Sequence, residues 1–198
     1  MALPTYDKSK RKSTSFESLP KGAYVVKIMG VKEGTYPSGG ACLRIAFDIA
    51  EGEYKDFYKN MYDRNTSEDK KWPNDAVFRL TIPYKNCPDY VVTNYDTFFA
   101  DLEDSNNGFV FSGDEKSLKG KLIGAKMHIR QTEYNGNVYN HTRMKWSCVA
   151  DDVRNGKAGR LPNDKLVTPS ASNASGSAMD SYANSGFSSD SDDEIPFD

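Results

Sequence analysis

Five cations and six aromatic rings sit where the sequence pattern turns side chains outward. Arg44, Lys126, Arg130, Arg143 and Lys145 occupy out-facing positions on three alternating stretches. Tyr54, Phe57, Tyr58, Trp72, Tyr134 and Tyr139 lie on or beside the same surface. Cations along an extended face hold phosphates, and rings stack on bases, each stack contributing about 1–3 kcal/mol. A charged, solvated sheet face explains any one of these residues equally well. Taken as a set, they point to single-stranded nucleic acid.

The end of the chain carries a second chemistry. Asp192, Asp193 and Glu194 precede Ile195, Pro196 and Phe197, with Asp198 last. Such a peptide can plant Phe197 in an apolar pocket while its acids meet basic residues around the rim. Pro196 restricts the free chain and lowers the ordering cost of binding. A solubilising acidic tail accounts for the acids but not for the Ile-Pro-Phe cluster.

Other chemistries lack their residues. His128 and His141 are the only histidines, and neither has a clustered acid or cysteine, so no metal site or histidine-dependent triad is expected. Asp63, Asn65, Ser67 and Asp69 have the opening spacing of a calcium loop, but Glu68 and Asn74 stand where its glycine and glutamate belong. The glycines between 34 and 40 lack the Gly-Lys-Ser/Thr of a nucleotide-hydrolysing loop. No catalysis and no cofactor are expected. A nuclease would need clustered acids for metal, and none is found; an adaptor acting only through its tail would have a body without DNA affinity.

Positioning these residues falls to a short set of strands. Residues 23–33 are rich in β-branched side chains. In the next strand Leu43, Ile45, Phe47 and Ile49 alternate with Cys42, Arg44, Ala46 and Asp48, the period of a half-buried strand. A tight turn at Glu51-Gly52 leads into a predicted third strand over 53–59, with a short extra strand over 77–82. Val91, Tyr95, Phe98, Phe99 and Leu102 fall at helical spacing, so 90–103 is read as a helix. Residues 121–132 and 138–149 form a final hairpin around Tyr134-Asn135-Gly136-Asn137. There Lys126, His128 and Arg130 face outward, and Met144, Trp146 and Cys148 share the inward face. Three strands, a helix and a hairpin make the order of an OB-fold, a five-stranded Greek-key barrel. The loops at 34–40 and 133–137 would then close over ligand; another small β-barrel remains an alternative.

Charge divides the chain of 198 residues. Residues 1–150 hold 22 Lys and Arg against 19 Asp and Glu, a net +3; residues 151–198 hold 4 against 9, a net −5. A basic body suits nucleic acid and an acidic tail suits a protein partner. The expected organisation is a basic arm at 1–20, a barrel at 21–150, and a disordered linker and tip at 151–198. Three cysteines without a Cys-x-x-Cys give no disulfide framework or zinc knuckle. The polar, basic N-terminus carries no apolar signal region, and no run is long enough for a membrane span, so a cytoplasmic protein is expected.

The six residues 192–197 closely resemble the acidic C-terminal tip of bacterial and phage single-stranded DNA-binding proteins. The body resembles phage-type members of that group at residues 16–28 (FESLPKGAYVVKI) and 47–54 (FDIAEGEY). In that family the phenylalanine is usually the last residue, whereas here Asp198 follows it. The resemblance implies protection of single-stranded DNA in phage replication, recombination or repair, with replication, recombination or repair proteins recruited by the tip. It implies a host-cytoplasmic location. DNA versus RNA preference and homo-oligomerisation stay open.

Overall fold

A computed structural model describes residues 18–167. Five strands form one antiparallel sheet: β1 (Ala23–Thr35), β2 (Ala41–Ile49), β3 (Val77–Thr81), β4 (Leu122–Tyr134) and β5 (Asn137–Cys148). The order across the sheet is β3-β2-β1-β4-β5, so β3 and β5 are its edges. The sheet curls until these edges approach each other, but they share no ladder. Helix α1 (Phe57–Arg64) follows β2, α2 (Asp89–Ser105) links β3 to β4, and α3 (Ala150–Arg154) follows β5.

Apolar alternation drives this arrangement. Leu43, Ile45, Phe47 and Ile49 of β2 are buried as expected, together with Val26 and Ile28 of β1 and Ile123, Ala125 and Met127 of β4. Phe98, Phe99 and Leu102 of α2 complete the core. β1 serves two partners, pairing with β4 through residues 23–27 and with β2 through residues 26–35. A bulge at Met29, between the Ile28 and Gly30 pairs, bends it from one partner to the other. Gly34 is needed beside β2, because a Cβ there would lie 2.8 Å from Cδ of Arg44.

The predicted third strand at 53–59 is not a strand. Gly52 and Asp56 turn the chain with positive φ of 83° and 59°, and α1 begins at Phe57. The cause is a buried carboxylate ten residues upstream. Asp48 Oδ1 accepts from the amides of Ile49 (2.8 Å) and Tyr58 (2.9 Å), and Oδ2 accepts from Lys59 (3.1 Å). It therefore satisfies amides that the first turn of α1 would leave open. Burial pushes the Asp48 pKa up, while these three amides pull it down. The third strand of the sheet is instead Val77–Thr81, read from sequence as an optional extra.

A second bulge corrects the faces of β5. Lys126 pairs with Trp146 but Met127 with Met144, so Lys145 is the extra residue. Beyond it the alternation changes phase. Met144 is buried while Trp146 is 41% exposed, so Met144, Trp146 and Cys148 do not share an inward face. Cys148 is buried close to Val153 of α3, beside Gly124.

Packing also continues past residue 150, where the linker was expected to begin. Ala150 and Pro162 are fully buried. Residues 163–167 lie along β4 as a strap. Lys165 N donates to Ile129 O (2.9 Å), Gln131 N donates to Lys165 O (2.8 Å), and Ile129 N donates to Asp164 Oδ1 (3.0 Å). Lys21 Nζ pairs with Asp164 at 2.9 Å. Three such hydrogen bonds contribute about 3 kcal/mol together. A chain ending at 162 therefore melts about 6–12 °C below one ending at 167; equal melting temperatures in thermal denaturation would show that the strap adds nothing.

Candidate nucleic-acid interface

Between the two sheet edges runs a cleft of about 720 Å3, bounded at one side by α2. Its floor is apolar, with Leu80 of β3, Phe98 of α2 and Met144 of β5. Its walls are cationic. β4 supplies Lys126, His128 and Arg130, and β5 supplies Arg143 and Lys145. Arg79 of β3 and Lys165 of the strap complete the set, and no Asp or Glu is among the described residues that line it. Lys126, Arg130, Lys145 and Lys165 form no salt bridge with any described residue. Side chains left unpaired in one concave site raise the local concentration of anions.

Rings accompany the cations. Trp146 of β5, Tyr90 of α2 and Tyr36 of the β1–β2 loop all line the cleft. Tyr90 is 66% exposed. The Tyr36 hydroxyl is 3.3 Å from Arg79 O and 3.1 Å from Thr81 Oγ1, which pins that loop to β3. The track extends beyond the cleft along one face of the β4–β5 hairpin. Arg130 lies opposite His141, Thr132 opposite Tyr139, and Tyr134 opposite Asn137. Residues two apart on a strand share a face, so Tyr139 and Tyr134 continue the line of Arg130.

Four of the five cations read from sequence thus come together in the cleft: Lys126, Arg130, Arg143 and Lys145. Arg44 does not. It lies on β2 between Lys32 and Arg79, and its Nε is buried without a hydrogen-bond partner among the described residues. The rings divide more sharply. Tyr58 is 2% exposed and packs edge-on against Phe47, so it belongs to the core and not to a stacking surface. Burial pushes its hydroxyl pKa well up. Tyr54 and Phe57 pack against each other and, through Tyr54, against Tyr24. Tyr24 and Tyr54 line a separate hollow by α3, away from the cleft. Trp72, expected on or beside the binding surface, is partly buried against the core, and its Nε1 donates to Phe47 O at 3.2 Å. The tip residues Asp192, Asp193, Glu194, Ile195, Pro196 and Phe197 lie outside the described residues, as does most of the basic arm.

Sequence reading missed Trp146, Tyr90, Arg79 and Lys165. The one-residue bulge hid Trp146, and Lys165 fell in a stretch taken for linker. Tyr90 had a readable signal: it begins the helix one position before Val91, off the apolar stripe.

Fold and site together define a mainly β domain with a cation-lined, ring-bearing cleft between its sheet edges. Residues 4–85 match a family described as a protein of unknown function, DUF669. That stretch is under half the chain; it includes β1, β2, α1 and β3 and ends before α2, β4 and β5. No curated protein matches the chain. Among the described residues no group of three or more His, Cys, Asp or Glu is placed to hold a metal ion, and no helix is long and apolar enough to cross a membrane.

Proposed function

We propose that this chain binds single-stranded DNA through the cleft between β3 and β5, using an OB-fold-like domain, and recruits partner proteins through its acidic tip. The observation that carries the reading is the lining of the cleft: cations from β3, β4, β5 and the strap, of which Lys126, Arg130, Lys145 and Lys165 form no salt bridge with any described residue, with rings beside them and no carboxylate among the described lining residues. A single strand needs charge along its phosphates and flat faces for its bases, without base-specific donors. The strand order supports the OB-like reading, since joining the β3 and β5 edges of a β3-β2-β1-β4-β5 sheet gives a five-stranded Greek-key barrel. The tip reading rests on the sequence of residues 192–197.

Titration of the full chain with labelled single-stranded oligonucleotides of different sequence tests the cleft. Binding should show little sequence preference. Its logarithm should fall against log salt with a slope of about −3.5, from the four unpaired cations and Arg143 at about −0.7 each on single strands. Absence of binding at low salt, or affinity flat between low and moderate salt, sinks the reading.

A further inference from the structure

Arg143 differs from the other cations of the cleft because one edge of it is already held. Its Nε donates to Asp75 Oδ1 at 2.9 Å. Asp75 Oδ2 lies 3.0 Å from Nδ1 of His141, and Nε2 of His141 lies 3.0 Å from Thr132 Oγ1. One carboxylate, carried on the turn before β3, therefore ties together two residues of β5, and through His141 reaches β4. It bridges the two sheet edges at the level of the cleft. Both ring nitrogens of His141 are engaged, which makes it a strut. Arg143 is in a different position. It lines the cleft, its side chain keeps 22% of its exposure, and its two terminal nitrogens have no hydrogen-bond partner among the described residues.

Guanidinium donors lie in one rigid plane, so fixing Nε also fixes the plane and the direction of the remaining fork. We infer that Asp75 is a positioning residue that presents the terminal fork of Arg143 to a phosphodiester in the cleft. The inference rests on the nucleic-acid reading of the cleft and deepens it: the seat takes a phosphate, bidentately, at the rung where Arg143 faces His128. Planar forks match phosphate oxygens in a way a point charge does not. Asp75 itself touches no ligand. The rival role for the same carboxylate is a mask that occupies Arg143 and must be displaced, and it predicts the opposite sign.

The test uses the full chain and a labelled oligothymidylate. Asp75→Asn should weaken binding about tenfold, the scale of one oriented hydrogen bond, and leave the salt slope unchanged because Arg143 keeps its charge. Arg143→Ala should weaken binding and lower the slope by about 0.7. The double variant should bind no worse than Arg143→Ala alone, since Asp75 acts only through that side chain. Arg143→Lys covers the case in which Asp75→Asn fails to fold: it should lose about the same tenfold as Asp75→Asn, less than Arg143→Ala, with its slope retained. Tighter binding by Asp75→Asn overturns the inference in favour of a mask. An equal loss from Asp75→Asn with and without Arg143, or an Arg143→Lys variant that binds like the parent, also overturns it while leaving the cleft reading intact. A parent chain that does not bind the oligonucleotide removes both.

Discussion

Replacing Lys126, Arg130 and Lys145 together with alanine should weaken single-stranded DNA binding about 100-fold at 0.1 M salt. Each cation that neutralises a phosphate releases about 0.7 of a counterion, so at 0.1 M salt each contributes about 0.7 of a log unit and three contribute about two. The slope of log affinity against log salt should become shallower by the same factor, about 2. All three residues line the cleft, and none forms a salt bridge with a described carboxylate, although burial raises the Asp101 pKa and Lys126 lies close enough to pull it partly back down. Melting temperature should therefore change little. The matched control is Lys55, Lys85 and Lys116, which do not line the cleft and form no salt bridge with a described residue. Their replacement should leave both affinity and slope near the parent values. Equal losses from both triple variants, measured by anisotropy across a salt series, would mean that diffuse charge and not the cleft holds the strand.

The two tryptophans should separate completely. Trp146→Ala should cost about 1–3 kcal/mol of binding, the value of one base stack, with the melting temperature near that of the parent. Trp146 is 41% exposed and lines the cleft. Trp72→Ala should do the reverse. Its ring packs partly buried against the core and beside Tyr62, and its Nε1 bonds to Phe47 O. Losing that ring should cost about 2 kcal/mol of stability, at the low end for large-to-small changes because it is only partly buried, and lower the melting temperature by about 4–8 °C. Affinity per folded molecule should hold. Fluorescence gives an independent readout: quenching on oligonucleotide binding should vanish in Trp146→Phe and persist in Trp72→Phe. If quenching follows Trp72 instead, the strand does not run between β3 and β5.

Much of the fold was legible because its signals are local. Alternation marked β2 from Cys42 onward and the cleft-facing Lys126 and Arg130 on β4; His128, expected outward beside them, is buried with Nδ1 3.0 Å from Asn163 O. Spacings of three and four marked α2 within two residues of its ends. An Asn-Gly turn marked the hairpin, and Asn135 and Gly136 both take positive φ there. Four of the cations of the cleft followed from these patterns: strand periodicity places Lys126, Arg130 and Arg143, while Lys145 is the bulge residue itself. Tertiary structure decided what no window of residues contains. Residues 53–59 were expected as a strand, although Tyr54, Phe57 and Tyr58 fall at helical spacing, and the buried Asp48 carboxylate draws Tyr58 and Lys59 into a helix and hides the Tyr58 ring. One extra residue at Lys145 reverses the phase of β5 and brings Trp146 to the surface. Lys165 reaches the cleft only because the strap pairs with β4, and Arg143 is oriented only because Asp75, 68 positions away in sequence, lies across the sheet opening. Each of these depends on which distant backbone amide, ring or carboxylate arrives beside a residue, and that is set by the curl of the sheet rather than by the residue's own neighbours.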